Sequence, residues 1–149
     1  MSSKNQIIKD IENYQLRFID GDLHINPRVF IKHEIEDNDI KFSTITKVKI
    51  NDELVETTKY AQLLTYMITK IKIEKEVNVK DIVDKIGFNF KVGEYSLEGF
   101  TYKEELGISI QNKAAYDTFK AIEKLVKFYE YSLTLKLKTK TSKIVKYAF

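Results

Sequence analysis

The hydrophobic period of the chain changes sharply near Tyr131, and that change constrains the fold more than any other feature. Upstream, Ala115, Phe119, Ile122, Val126, Tyr129 and Leu133 are spaced four, three, four, three, four. This lines one face of an α-helix. Lys113, Asp117, Lys120, Lys124 and Lys127 fall on the other faces. Downstream, Leu133, Leu135 and Leu137 alternate with Thr134, Lys136 and Lys138, and Lys140 continues the polar set. A period of two describes a strand with one wet face. The pattern predicts a helix over 112–130 that runs directly into a basic strand over 131–140. Asn112 is the expected N-cap, because its side-chain oxygen can accept from the free amides of the first turn. Glu123 and Lys127 stand in the favourable i,i+4 order.

The residues just before this unit predict a short helix. Thr101 and Glu104 have capping-box spacing. Leu106 supplies an apolar anchor, and Gly107 can take the positive φ that ends a helix. Short helix, Gly turn, longer helix and basic strand, in that order, are the parts of a winged helix-turn-helix.

Earlier elements are read from the same signals. Ile7, Ile8 and Ile11 suggest a short helix over 3–13. Asp20-Gly-Asp22 between apolar runs signals a hairpin turn. Alternation resumes from Val29 to Ile35 and from Ile40 to Ile50, with a polar turn at 36–39, so residues 1–50 are expected to form a small antiparallel meander packed on the rest. Asn51 or Asp52 is the expected cap of a helix from Leu54 to about Lys72, in which Tyr60, Leu64, Met67 and Ile71 repeat four, three, four. A second short helix is expected from Val79 to Ile86, stopped by Gly87. The alternating aromatics of residues 88–95 suit a hairpin. The whole is expected to be one α+β domain, 1–149, with a β-rich part to residue 50 and a winged-helix-like part after it.

Charge is distributed unevenly. The net charge is +3, but residues 113–149 carry nine Lys against three carboxylates, while residues 51–112 carry eight Lys against eleven carboxylates. Basic charge concentrated on one helix and strand suits a polyanionic partner. The absence of cysteine excludes disulfides and thiolate metal sites, and suits a cytoplasmic protein. The first ten residues are polar and charged, unlike a signal peptide, and no apolar run reaches membrane-spanning length.

Glu104-Glu-Leu-Gly-Ile-Ser109 resembles the core of many bacterial and phage helix-turn-helix domains. Ala115, Phe119 and Ile122 are similar to the apolar triplet of their recognition helices. Tyr60 to Ile68 looks like the first helix of a winged-helix domain. Gly87-Phe88-Asn89, Ser96-Leu97 and Gly107-Ile-Ser109 are similar in order to segments of the amino-terminal domains of lambda O type phage replication proteins, a likeness covering residues 54–140. Val79 to Gly87 resembles a competing first helix of the motif. The resemblance implies sequence-specific binding of duplex DNA in replication or regulation of a phage or mobile element. Under that reading the helix from Asn112 enters the major groove. Gln111 and Asn112 bond adenine, Lys113 and Lys120 reach guanine or phosphate, and Tyr116 lies on the same helix. Ser109 and the helix-start amides hold a phosphate, while Lys136, Lys138 and Lys140 track the backbone as a wing. A homodimer fits the weak binding of small single modules.

Enzyme chemistry has little support. Asp20-Gly-Asp-Leu-His24 and His33-Glu-Ile-Glu-Asp-Asn-Asp39 hold metal-ligand residue types, but both read as turns, and the second lacks calcium-loop spacing. No phosphate loop, paired-histidine zinc motif or nucleophile elbow occurs. No metal or cofactor is expected, and the chain is not expected to be an enzyme. The alternative function is a small phage-type protein that binds and inhibits a host or replication protein. It would do so through an acidic surface of Glu74, Glu76, Asp81, Asp84, Glu94, Glu98, Glu104 and Glu105.

Overall fold

The computed structural model of the protein describes residues 6–11 and 14–149. The chain is α+β, as its mixed periodicities require. Strands β1 (Gln6–Ile11), β2 (Tyr14–Ile19) and β3 (Asp22–Pro27) form an antiparallel meander in that order. Its second turn is the predicted Asp20–Gly21, with φ of 50° and 87°. Positive φ at both central residues gives the twist that a two-residue hairpin needs.

The main body is a five-stranded sheet under a layer of helices. Strand β4 (Val29–Lys32) leads to a short helix α1 (Asp37–Ile40), then to the hairpin β5 (Thr44–Ile50) and β6 (Glu53–Val55). Helices α2 (Tyr60–Glu74) and α3 (Val79–Ile86) follow. Next comes a small insert of β7 (Phe90–Val92), β8 (Phe100–Lys103), a 3-10 turn (Glu104–Leu106) and β9 (Ile108–Gln111). Helix α4 (Ala115–Phe128) returns the chain to the hairpin β10 (Leu133–Lys138) and β11 (Ile144–Ala148). The large sheet has the order β4-β11-β10-β5-β6, and β4 lies parallel to β11 while the other pairs are antiparallel.

Alternation decides which side chains enter the core. Leu133, Leu135 and Leu137 of β10 are buried, opposite Ile50, Val48 and Ile45 of β5. Val145 and Tyr147 of β11 are buried beside them. The apolar stripe of α4 meets this face at Phe119, whose ring stands edge-on to Tyr147 with centroids 5.5 Å apart. Leu63, Met67, Ile68 and Ile71 of α2 complete the same cluster, with Ile82 and Val83 of α3. The polar groups are served as well: Tyr131 Oη donates to Glu74 at 2.8 Å, and the Ser43 and Tyr60 hydroxyls share a 2.6 Å bond. Among the described residues no helix is long and apolar enough to cross a membrane.

Several local expectations are met. Helix α3 runs from Val79 to Ile86 with Asn78 capping Lys80 N at 2.8 Å, and Gly87 stops it at φ 72°. Helix α4 and strand β10 fall where the change of period placed them.

Others are corrected. Residues 6–11 form β1, not a helix; the remainder of the segment expected to be helical, 3–5 and 12–13, lies outside the described residues. The first 50 residues are not one meander, because β4 and β5 join the large sheet. Asn51 and Asp52 do not cap α2; they form the tight turn of the β5–β6 hairpin, at φ 49° and 64°. Residues 88–95 are not a local hairpin, since β7 pairs with β9.

The largest correction concerns residues 101–109. The capping-box pattern does not make a helix. Phe100–Lys103 is strand β8, Glu104–Leu106 is a single 3-10 turn, and Ile108–Gln111 is strand β9 between β7 and β8. A five-residue helix with one apolar anchor has no face to bury. As a central strand, Ile108 and Ile110 are buried and every backbone partner is supplied from either side. The tight helix-turn-helix expected over 101–130 is therefore not formed. The chain instead runs through helices α2 and α3, the insert sheet, helix α4 and then the β10–β11 hairpin.

Leu135 has no solvent exposure and sits at the middle of β10. Leu135→Ala is expected to cost about 2–5 kcal/mol through lost transfer energy and the cavity left behind. Urea unfolding followed by circular dichroism should show a lower midpoint with an unchanged m-value.

Candidate nucleic-acid interface

The same alternation that buries three leucines of β10 sends its lysines out of the opposite sheet face. Lys136 is the register partner of Lys47 on β5 and of Lys146 on β11, so three lysines form one row across three adjacent strands. Lys138, opposite Thr44 and Ile144, and Lys49, opposite Thr134, extend this row along both directions of the strands. The helices cover the other side, so this face is open.

No carboxylate occupies a register position of the row; Glu56, just past β6, lines an open cleft with Thr46, Lys47 and Leu54 at its edge. The remaining outward register positions are Thr44, Thr134, Ile144, Ala148, Val29, Ile31 and Leu54, with no carboxylate and no aromatic ring among them. Glu53 on the neighbouring strand reaches the helical side instead, 3.8 Å from Lys70 of α2. Among the described residues, the ion pairs involve Lys32, Lys70, Lys120 and Lys127, and none involves the five sheet lysines. Like charges placed directly across a sheet cost stability. Strand pairing therefore does not itself favour setting Lys47, Lys136 and Lys146 side by side.

The nine residues expected to contact DNA do not converge. Ser109 is fully buried in β9, where its hydroxyl donates to Gly93 O and accepts from Tyr95 N, each at 2.8 Å. It joins two segments of the insert and has no free valence to hold a phosphate. Gln111 accepts from Asn89 Nδ2 at 2.8 Å and donates to Glu98 O at 3.1 Å. Asn112 does not cap α4; its amide donates to the Thr101 hydroxyl at 2.9 Å, and α4 begins after Ala114 with no side-chain cap. Lys113, Tyr116 and Lys120 lie at the start of α4, in the helical layer. Lys136 and Lys138 lie on the far side of the sheet, and Lys140 sits in the β10–β11 turn. The helix and the strand thus present two faces, not one groove-reading surface.

Lys47, Lys49 and Lys146 were not among the expected contacts. Their own runs carry a signal: Lys47 and Lys49 flank Val48 in one alternating strand, and Lys146 separates Val145 from Tyr147 in another. What sequence does not supply is the register that sets Lys47, Lys136 and Lys146 side by side.

The eight carboxylates of the expected acidic surface are spread over α2, α3 and the insert, and Glu74 is engaged by Lys70 at 3.0 Å and by Tyr131. Of the metal-ligand types, Asp39 accepts from Lys32 Nζ at 2.8 Å and from Glu36 N at 3.2 Å. Among the described residues no cluster of three His, Asp or Glu could hold a metal ion. No known protein family, characterised protein or solved structure matches this chain.

One buried charge ties α4 to the sheet. Glu123, in a polar cleft with Tyr116 and His33, accepts from Lys120 Nζ at 2.8 Å and from the Tyr147 hydroxyl at 2.5 Å. Burial pushes its carboxyl up, but the bonds from Lys120 and Tyr147 and the two nearby lysine charges outweigh that and hold it below the usual glutamate value. Burial and the bond to Glu123 push the Tyr147 hydroxyl well up, so it stays a donor.

A lowered folded-state pKa gives stability that is present above the unfolded value and lost as pH falls through the folded one. Glu123→Gln is expected to cost about 1–2 kcal/mol at pH 7. The melting-temperature gap from wild type should narrow as pH falls below the ordinary glutamate range. A gap that stays constant to pH 3 contradicts the ionised-carboxylate account.

Proposed function

We propose that the protein binds duplex DNA through the open face of its five-stranded sheet, in the replicative or regulatory role that the resemblance of its sequence motifs implies. The observation that carries this reading is the row Lys47–Lys136–Lys146, extended by Lys49 and Lys138, none of them in an ion pair among the described residues. Lysines neutralise phosphates and release condensed counterions, which gives affinity without sequence information. Surfaces that bind single strands add aromatic side chains on which bases stack. The outward positions of this sheet hold lysine, threonine and aliphatic residues only. That chemistry favours a paired backbone over an unstacked strand.

Lys47→Ala/Lys136→Ala/Lys146→Ala is the direct test. Binding of a labelled 25-base-pair duplex is measured by fluorescence anisotropy across a salt series. The triple variant is expected to weaken binding at least tenfold at low salt and to reduce the slope of log affinity against log salt by about 2–3. Lys113→Ala/Lys124→Ala, on the helical layer, should leave the slope near that of wild type. Wild-type protein that does not bind duplex at low salt, or a helical-layer variant that loses as much as the sheet variant, overturns the proposal.

A further inference from the structure

In the turn just before β5 the backbone holds an aromatic side chain out into solvent. Phe42 is 79% exposed, more than any other large apolar side chain described, and takes φ 57°. Eight non-glycine residues among those described have positive φ; the other seven are Asp, Asn, Glu or Ser. For a bulky side chain this conformation is a true outlier and carries strain. Such strain persists where the surroundings enforce it, and it concentrates at functional sites. Here the enforcing contacts are visible: Lys41 N donates to Asp37 O at 2.9 Å and Ser43 N to Ile40 O at 2.9 Å, while the Ser43 hydroxyl is bonded to Tyr60. Both neighbours of Phe42 are fixed, and its ring belongs to no part of the buried cluster.

Its position joins it to the basic face. Phe42 lies two residues before Thr44, whose register partner is Lys138, the last lysine of β10. Lys41 is beside it, with Nζ 5.8 Å from the ring centre, and Lys140 lies in the turn just past Lys138. An exposed ring beside a lysine, outside the sheet and single, suits an apolar wedge better than a platform for a run of unstacked bases.

We propose that Phe42 is the base-contacting residue of this surface, inserting as a wedge at a flexible pyrimidine–purine step of duplex DNA. This rests on the duplex-binding reading above and adds to it the part of the ligand that a lysine row cannot read. Apolar wedges partly unstack the step they enter, and TA steps yield most easily.

The test uses the full chain and 25-base-pair duplexes with 2-aminopurine replacing adenine in a central T–A step. Wild type is expected to raise the 2-aminopurine emission on binding. Phe42→Ala should bind three- to tenfold more weakly, with the wild-type salt slope and no emission change. Phe128→Ala, which removes an exposed ring from the helical layer, is the control and should behave as wild type. Phe42→Asn relieves the positive φ and is expected to raise the melting temperature while losing the emission change. Four results overturn the wedge: no emission change with bound wild type, an unaltered change with bound Phe42→Ala, an emission change that Phe128→Ala also abolishes, or a lower melting temperature for Phe42→Asn. Failure of wild type to bind any duplex removes both proposals together. Binding without unstacking removes only this one.

Discussion

The fold depends on the packing of α4 against β10 and its two neighbours. Leu133, Leu135 and Leu137 form the centre line of the sheet core, and the helix that precedes them covers it with Phe119, Ile122 and Val126. The two elements are adjacent in sequence, so the contact closes a short loop and costs little chain entropy. Once β10 is placed, a period of two leaves no freedom for Lys136 and Lys138: they must face away from the helices. The core and the basic surface are consequently two sides of one strand. A one-residue slip of β10 would bury lysines and expose leucines, so burial of the leucines fixes which face the lysines take; the strand pairing then lines up Lys136 with Lys47 and Lys146.

The balance of energies on the open face points the same way. Each buried leucine contributes about 1.5–3 kcal/mol relative to exposure. Repulsion between lysines about 5 Å apart in water is on the order of 1 kcal/mol and is screened by salt. The inner face can therefore carry an unfavourable outer one. A sheet selected only for stability would place carboxylates in register with these lysines, as Glu123 is placed between Lys120 and Lys127 on α4. On the helix the charges are paired; on the sheet they are not.

Much of this was legible in the sequence, and the part that was not has a common cause. The change of period at Tyr131, the helix closed by Gly87 and the Asp20–Gly21 turn are local signals, and each element stands where its signal put it. Residues 101–109 misled because capping residues and a glycine at the right spacing are also what a tight strand connection uses. The period-two run Leu106, Ile108, Ile110 was the better guide, since all three are buried. Pairing was the information missing altogether. That β4 and β11, from opposite ends of the chain, lie parallel, and that β5 brings Lys47 to Lys136, follows from which surfaces remain to be covered after the helices pack. The candidate site is made of such pairings, so its lysines could be read singly and their row could not.

The geometry of the row bears on what it can do. Strands lie about 4.8 Å apart, so Lys47 to Lys146 spans about 10 Å across two intervals. That lies between the widths of the minor and major grooves, about 6 and 12 Å. Lysine stems are long enough to adjust to either, and ammonium groups carry no directional preference for a base edge. A surface of this kind holds a duplex in many registers. Any preference among sequences must come from a group that touches bases or from the cost of deforming the duplex. Phe42 stands in the turn before β5 and is the most exposed aromatic ring described, whereas the row's own apolar neighbours, Ile31 and Leu54, are aliphatic. Backbone strain that would be relaxed by Asn or Gly is retained at that position, the one apolar side chain among the described non-glycine residues of positive φ. In the proposed complex the lysines would hold the duplex, and Phe42 would set where along it the protein rests.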